Sequence, residues 1–159
     1  MIVRVAAMLT AALLSCSCTP NGQGVSPNGG GGGGGSHSVA HTVSVNLTLN
    51  QPVKTPYGES GGMKPPVLDV NVGDTIVFTN TDSFAHTSTS VGTGPAFPAN
   101  GPSASALNQR GATLSGGWTS GAMQAGSSSQ TILADKKGTY LYGCFFHYPA
   151  PMRGAIVAH

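Results

Sequence analysis

Residues 142–152 of this 159-residue chain read Tyr-Gly-Cys-Phe-Phe-His-Tyr-Pro-Ala-Pro-Met, placing a thiol at Cys144, an imidazole at His147 and a thioether at Met152 on one short stretch. A second imidazole, His86, stands far upstream, just after an apolar run that has the alternation of a strand. Two imidazoles and a thiolate in a plane, with a weak axial thioether, make the donor set of a one-electron copper centre. Copper(I) favours the soft sulfur donors and copper(II) the imidazoles, so a rigid mixed set satisfies neither state fully and few nuclei move with the electron. The chemistry implied is one copper ion passing between Cu(I) and Cu(II), held by His86, Cys144, His147 and Met152.

Each of these residues has an ordinary reading when taken alone. A lone cysteine is most often a small buried apolar group. His147 would pass as a surface residue, His86 as a turn residue and Met152 as core. The spacing of Cys144, His147 and Met152, together with the upstream imidazole, is what sets them apart. Met63 and Met123 read as packing, and His37, His41 and His159 as residues of loose or terminal segments. Enzyme signatures are missing from the sequence: no carboxylate pair flanks the histidines, and there is no Ser-His-Asp pattern or Gly-x-Ser-x-Gly elbow.

Strands must position these donors. Residues 42–49 alternate, with Val43, Val45, Leu47 and Leu49 on one face. Further strands are predicted over residues 67–72, 75–79, 86–90, 130–134, 139–144 and 154–158, with turn residues between them. Short strands at this spacing, and no sustained helical period, predict an all-β sandwich of about seven to eight strands. Cys144 then closes one strand, while His147 and Met152 follow on the connection to the last. Residues 91–129 are polar and glycine-rich; a strand pair or one helical turn is expected there, pinned by Phe97, Leu107, Leu114, Trp118 and Met123.

Two segments carry a family resemblance. Residues 70–86, Val-Asn-Val-Gly-Asp-Thr-Ile-Val-Phe-Thr-Asn-Thr-Asp-Ser-Phe-Ala-His, resemble the first-ligand region of cupredoxins of the plastocyanin and pseudoazurin type. Residues 138–157, Gly-Thr-Tyr-Leu-Tyr-Gly-Cys-Phe-Phe-His-Tyr-Pro-Ala-Pro-Met-Arg-Gly-Ala-Ile-Val, resemble their second-ligand loop and final strand. The resemblance implies a Greek-key β-sandwich, a type 1 copper site made of His86, Cys144, His147 and Met152, and transfer of single electrons between partner proteins. Thr87 stands where relatives often carry Asn and is expected to brace the ligand loop through its hydroxyl. Pro151 stands where they often carry Gly, and stiffens the loop before Met152. Phe145, Phe146, Tyr148 and Pro149 around His147 are expected to form the apolar patch where partners dock and the electron leaves.

The N-terminus reads as a targeting segment. A basic start with Arg4 precedes an apolar run too short to span a bilayer, and Leu13-Leu14-Ser15-Cys16 resembles a bacterial lipobox. Residues 1–15 are thus expected to be a signal peptide and Cys16 a lipidated anchor. Residues 16–38 form a flexible linker, with an unbroken glycine run at 29–35. Residues 39–159 form the copper domain. The glycine run lacks the strand before it and the helix after it that a phosphate-cradling loop needs. Asn46-Leu47-Thr48 matches a glycosylation acceptor, a chance match in a bacterial lipoprotein. The expected location is the periplasmic side or the cell surface, with the membrane met only through the lipid. A formal charge of +2 is too small to argue for nucleic acid, and the protein is expected to be monomeric. The reading is an electron carrier and not an enzyme; the competing reading is a copper-binding or copper-delivery protein.

Overall fold

The computed structural model describes residues 37–48 and 51–159. The expected signal peptide, the Cys16 anchor and the linker up to residue 36 lie outside the described residues.

Apolar alternation determines which faces of the strands are buried. Val43 and Val45 on one strand, and Ile76 and Phe78 on another, are fully buried while their neighbours face outward. Twelve strands form among the described residues: β1 Ala40–Val45, β2 Val53–Thr55, β3 Gly58–Ser60, β4 Met63–Lys64, β5 Val67–Val70, β6 Thr75–Asn80, β7 Thr89–Thr93, β8 Arg110–Thr113, β9 Gly117–Thr119, β10 Ile132–Leu133, β11 Gly138–Gly143 and β12 Arg153–Ala158. The class is all-β as expected. The strand count exceeds the expected seven to eight because several strands of two to four residues are too short to show any period.

Ten of the strands join in one ladder, ordered β4-β1-β6-β10-β8-β9-β7-β11-β12-β5, while β2 and β3 form a separate hairpin. β1 runs parallel to β6, from Ala40 beside Thr75 to Val45 beside Asn80. β11 runs antiparallel to β12, and β12 parallel to β5. The pair β8–β9 links the β6 half to the β11 half, so the ladder folds over and both halves face one core. There Phe78 of β6 meets Tyr142 of β11 edge-on at 5.0 Å, and Trp118 of β9 lies 6.1 Å from Phe78 and 5.9 Å from Tyr142. Aromatic rings in such arrangements add to the burial of their area.

Some boundaries differ from those expected. β1 stops at Val45; Leu47 only packs partly against the core, and position 49 lies outside the described residues. The strand predicted over 86–90 begins only at Thr89, because His86 pairs through an isolated bridge to Met123 instead. Residues 91–129 hold both expected elements, the pair β8–β9 and a 3-10 turn at Ala104–Leu107. Leu114, Trp118 and Met123 enter the core, but Leu107 is exposed because Ala106 is the residue of that turn that faces inward. Phe97 is half-buried beneath the Arg153 guanidinium, 5.0 Å from its ring centre. His41 belongs to β1, and its Nε2 lies 3.0 Å from Asp74 Oδ2. Among the described residues no helix is long and apolar enough to cross a membrane.

Candidate metal centre

Two turns and a strand end build the site. β6 ends in Asn80, and the chain then turns through Asp82 and Phe84 to His86. The buried Asn80 amide holds this turn, donating to the carbonyls of Phe84 at 2.8 Å and Met123 at 2.9 Å. His86 and Met123 exchange backbone hydrogen bonds of 3.1 and 2.8 Å. Met123, expected only as packing, therefore also anchors the backbone of the first imidazole. Cys144 follows directly on β11, and its N–H donates to the Met152 carbonyl at 2.9 Å. The N–H groups of Ala150 and Met152 both donate to the His147 carbonyl, folding the loop back toward β12.

These constraints bring three of the four expected donors together. Cys144 Sγ lies 3.6 Å from His86 Nδ1 and 3.7 Å from His147 Nδ1. The donor atoms of His86, Cys144 and His147 all fall within 4.8 Å of one another. Two such donors bonded to one first-row ion at about 2.0–2.3 Å, and opening roughly 110–120°, stand about 3.6–3.8 Å apart. The observed separations match, so the residues fit a metal ion. Met152 is fully buried in the same cluster as Cys144. Its thioether packs against Gly62, where a Cβ would stand 2.6 Å from Met152 Cγ and 3.3 Å from Sδ.

Around the donors, Thr87 does two things. Its N–H points at Cys144 Sγ at 3.4 Å, and its hydroxyl accepts from the Phe145 N–H at 2.8 Å. This clasps the two ligand-bearing segments together. Hydrogen bonds to a ligating sulfur also tune its donor strength. The His147 imidazolium is disfavoured, chiefly by burial and then by the neighbouring His86, with Asp82 opposing, so its pKa is lowered from the ordinary value. A neutral ring with a free lone pair is what a metal needs.

Of the residues expected to form the apolar patch, only some lie at the surface. Phe146 is 43% exposed, Pro149 is exposed and Phe145 is half-buried. Tyr148 is 4% exposed and does not belong to a docking surface. Its hydroxyl donates to the Pro98 carbonyl at 2.9 Å and the Arg153 guanidinium covers its ring, so it pins the segment before the 3-10 turn to the ligand loop. Sequence reading missed Phe84, which is 40% exposed and packs on both imidazoles, with ring centres 4.9 Å from His86 and 5.6 Å from His147. It also missed Asp82, whose Oδ2 lies 3.1 Å from His86 Nε2. An aromatic two residues before the histidine and an acid four before it were legible as sequence, but only the turn brings them onto its ring.

No protein-family profile matches this chain, and no curated protein does. Solved structures similar to it include a purple cupredoxin from Nitrosopumilus maritimus, at 17% identity over 74% of this chain and 98% of that one, with a TM-score of 0.48. A mutant plastocyanin of fern shares 17% identity over 74% and 99%, with a TM-score of 0.46. A pseudoazurin from Sinorhizobium meliltoi shares 22% identity over 76% and 74%, with a TM-score of 0.44. The His86, Cys144 and His147 group could hold a metal ion on its own geometry. Assignment of a metal here rests on the donors themselves.

Proposed function

We propose that the protein is a single-electron carrier with one copper ion held by His86, Cys144 and His147, and Met152 as the weak fourth donor. The observation that carries this reading is the buried Cys144 sulfur with an imidazole Nδ1 on either side at 3.6 and 3.7 Å. Bound there, copper supplies a one-electron couple between Cu(I) and Cu(II). The chain holds the donors in place beforehand: His86 by its backbone bridge to Met123, Cys144 by Met152 and Thr87, His147 by its own turn. His147 is half-buried beside Phe84 and Phe146, which with the exposed Pro149 offer an apolar contact for a redox partner. Small contacts of this kind suit brief encounters.

The delivery reading needs a labile, accessible site. His86 and Cys144 are fully buried, which argues for retention of the ion. Export and lipid anchoring through Cys16 complete the proposal, with the domain tethered by residues 16–38 on the periplasmic side of a bacterial membrane or at the cell surface.

Copper(II) loading of residues 37–159 tests the core of the proposal. An intense thiolate-to-copper absorption band that bleaches reversibly on reduction is expected. A pale, ordinary copper(II) spectrum would remove Cys144 as a ligand and the carrier function with it.

A further inference from the structure

Asp82 is a carboxylate with almost no access to water: its side chain is 4% exposed. Both of its oxygens are engaged. Oδ2 accepts from the Leu47 N–H at 3.0 Å and faces His86 Nε2 at 3.1 Å, while Oδ1 accepts from the Ser83 N–H at 2.8 Å. The Asp82 N–H in turn donates to Asn80 Oδ1 at 2.9 Å. Held from both ends, the carboxylate cannot turn away from the histidine. Every contact to the carboxylate comes from a backbone N–H or from a ring nitrogen that can carry one, which is the pattern an ionised carboxylate accepts.

A neutral imidazole has one N–H, and an ionised carboxylate can only accept. Facing Asp82, that proton belongs on Nε2, which leaves the lone pair on Nδ1, the atom turned toward Cys144 Sγ. A carboxylate behind a ligating histidine fixes ring and tautomer and makes the imidazole a stronger donor. A negative charge so close also favours the more positive state of whatever ion the ring binds. We propose that Asp82 is a positioning residue that holds His86 as its Nε2–H tautomer and biases the site toward copper(II), lowering its reduction potential. The inference rests on the copper reading above.

The test compares wild type with D82N and D82A by competition against chelators in each oxidation state, together with the reduction potential. Loss of such a partner typically weakens metal binding about 10- to 100-fold. Here the loss is expected mainly for copper(II), with copper(I) affinity falling less. The potential of both variants should therefore rise, a tenfold change in the affinity ratio being about 59 mV for one electron. Equal losses in both states, with an unchanged potential, would mean that Asp82 only shapes the turn and would overturn the proposal. Should neither variant fold, nitrogen-15 NMR of the wild-type apoprotein still decides, since a proton on His86 Nδ1 instead of Nε2 refutes it. If wild type itself shows no thiolate-to-copper band, it is the copper reading that fails.

Discussion

Gly62 lies in the link between β3 and β4 at φ +66°, in the left-handed region, and faces the Met152 side chain. The substitution Gly62→Ala would place a Cβ 2.6 Å from Met152 Cγ, 3.1 Å from Cε and 3.3 Å from Sδ. Cγ is close to the backbone and cannot simply swing aside, and this backbone is tied in turn. The Gly61 N–H donates to the Pro151 carbonyl at 2.9 Å, and the Arg153 N–H to the Gly61 carbonyl at 3.2 Å. An L-residue in the left-handed region costs about 1–2 kcal/mol, and overpacking a core contact about 1–3 kcal/mol. Together about 2–5 kcal/mol is expected, a large share of the roughly 5–15 kcal/mol that holds a domain folded. Urea unfolding of the apoprotein would show a lower midpoint at unchanged slope, and the copper-loaded protein an altered spectrum and potential as the thioether moves. Gly73→Ala is the control: Gly73 has φ +100°, and a Cβ added there would meet no atom within 4 Å, so only the backbone cost applies and the spectrum should not change. If the two variants lose equal stability and share the wild-type spectrum, Met152 does not stand where the reasoning requires.

Tyr142 is fully buried, burial pushes its phenol pKa up, and its hydroxyl finds no hydrogen-bond partner among the described residues. Tyr142→Phe should therefore stabilise the fold by about 1–3 kcal/mol, and a lower urea midpoint would show that the hydroxyl is satisfied after all. Acid should destabilise the apoprotein in two windows. His147 has a lowered pKa, so the unfolded chain binds its proton first and stability falls as pH drops through the ordinary 6.5 and below. Asp74 is held at about 2 by the N–H groups of Asn71 and Val39 and by His41, so its contribution is present above 3.8 and vanishes as pH falls toward 2. Unfolding midpoints measured from pH 8 to 2 check both, and a flat profile above pH 4 would contradict the His147 assignment. Phe146→Glu should slow electron exchange with a partner about tenfold or more while the copper spectrum is kept, since about 1.4 kcal/mol at the encounter suffices. Unchanged kinetics would move the docking contact elsewhere.

Strand positions were legible where alternation ran for four residues or more, as in β1, β5 and β6, or where an apolar run was bounded by turn residues, as in β11 and β12. The donors at 144, 147 and 152 were legible because a short loop keeps its ligands adjacent in both sequence and space. The hairpin β2–β3 and strand β4 were not, and β8–β9 was expected only as a pair somewhere in 91–129, because such short segments carry little or no period and are fixed only by the strands they join. Tyr148 shows the same limit: beside His147 in sequence it reads as surface, yet Pro98, 50 residues away, takes its hydroxyl inward.

By itself, then, the sequence determined an all-β class and the identity of the chemical groups at the site, since these follow from residue type and local spacing. The tertiary structure alone decided that His86 Nδ1 meets Cys144 across 58 residues, that Asp82 stands behind that ring, and that Gly62 confines Met152. Contacts of this kind depend on how separate strands register against one another, and that register is set by packing of the whole core.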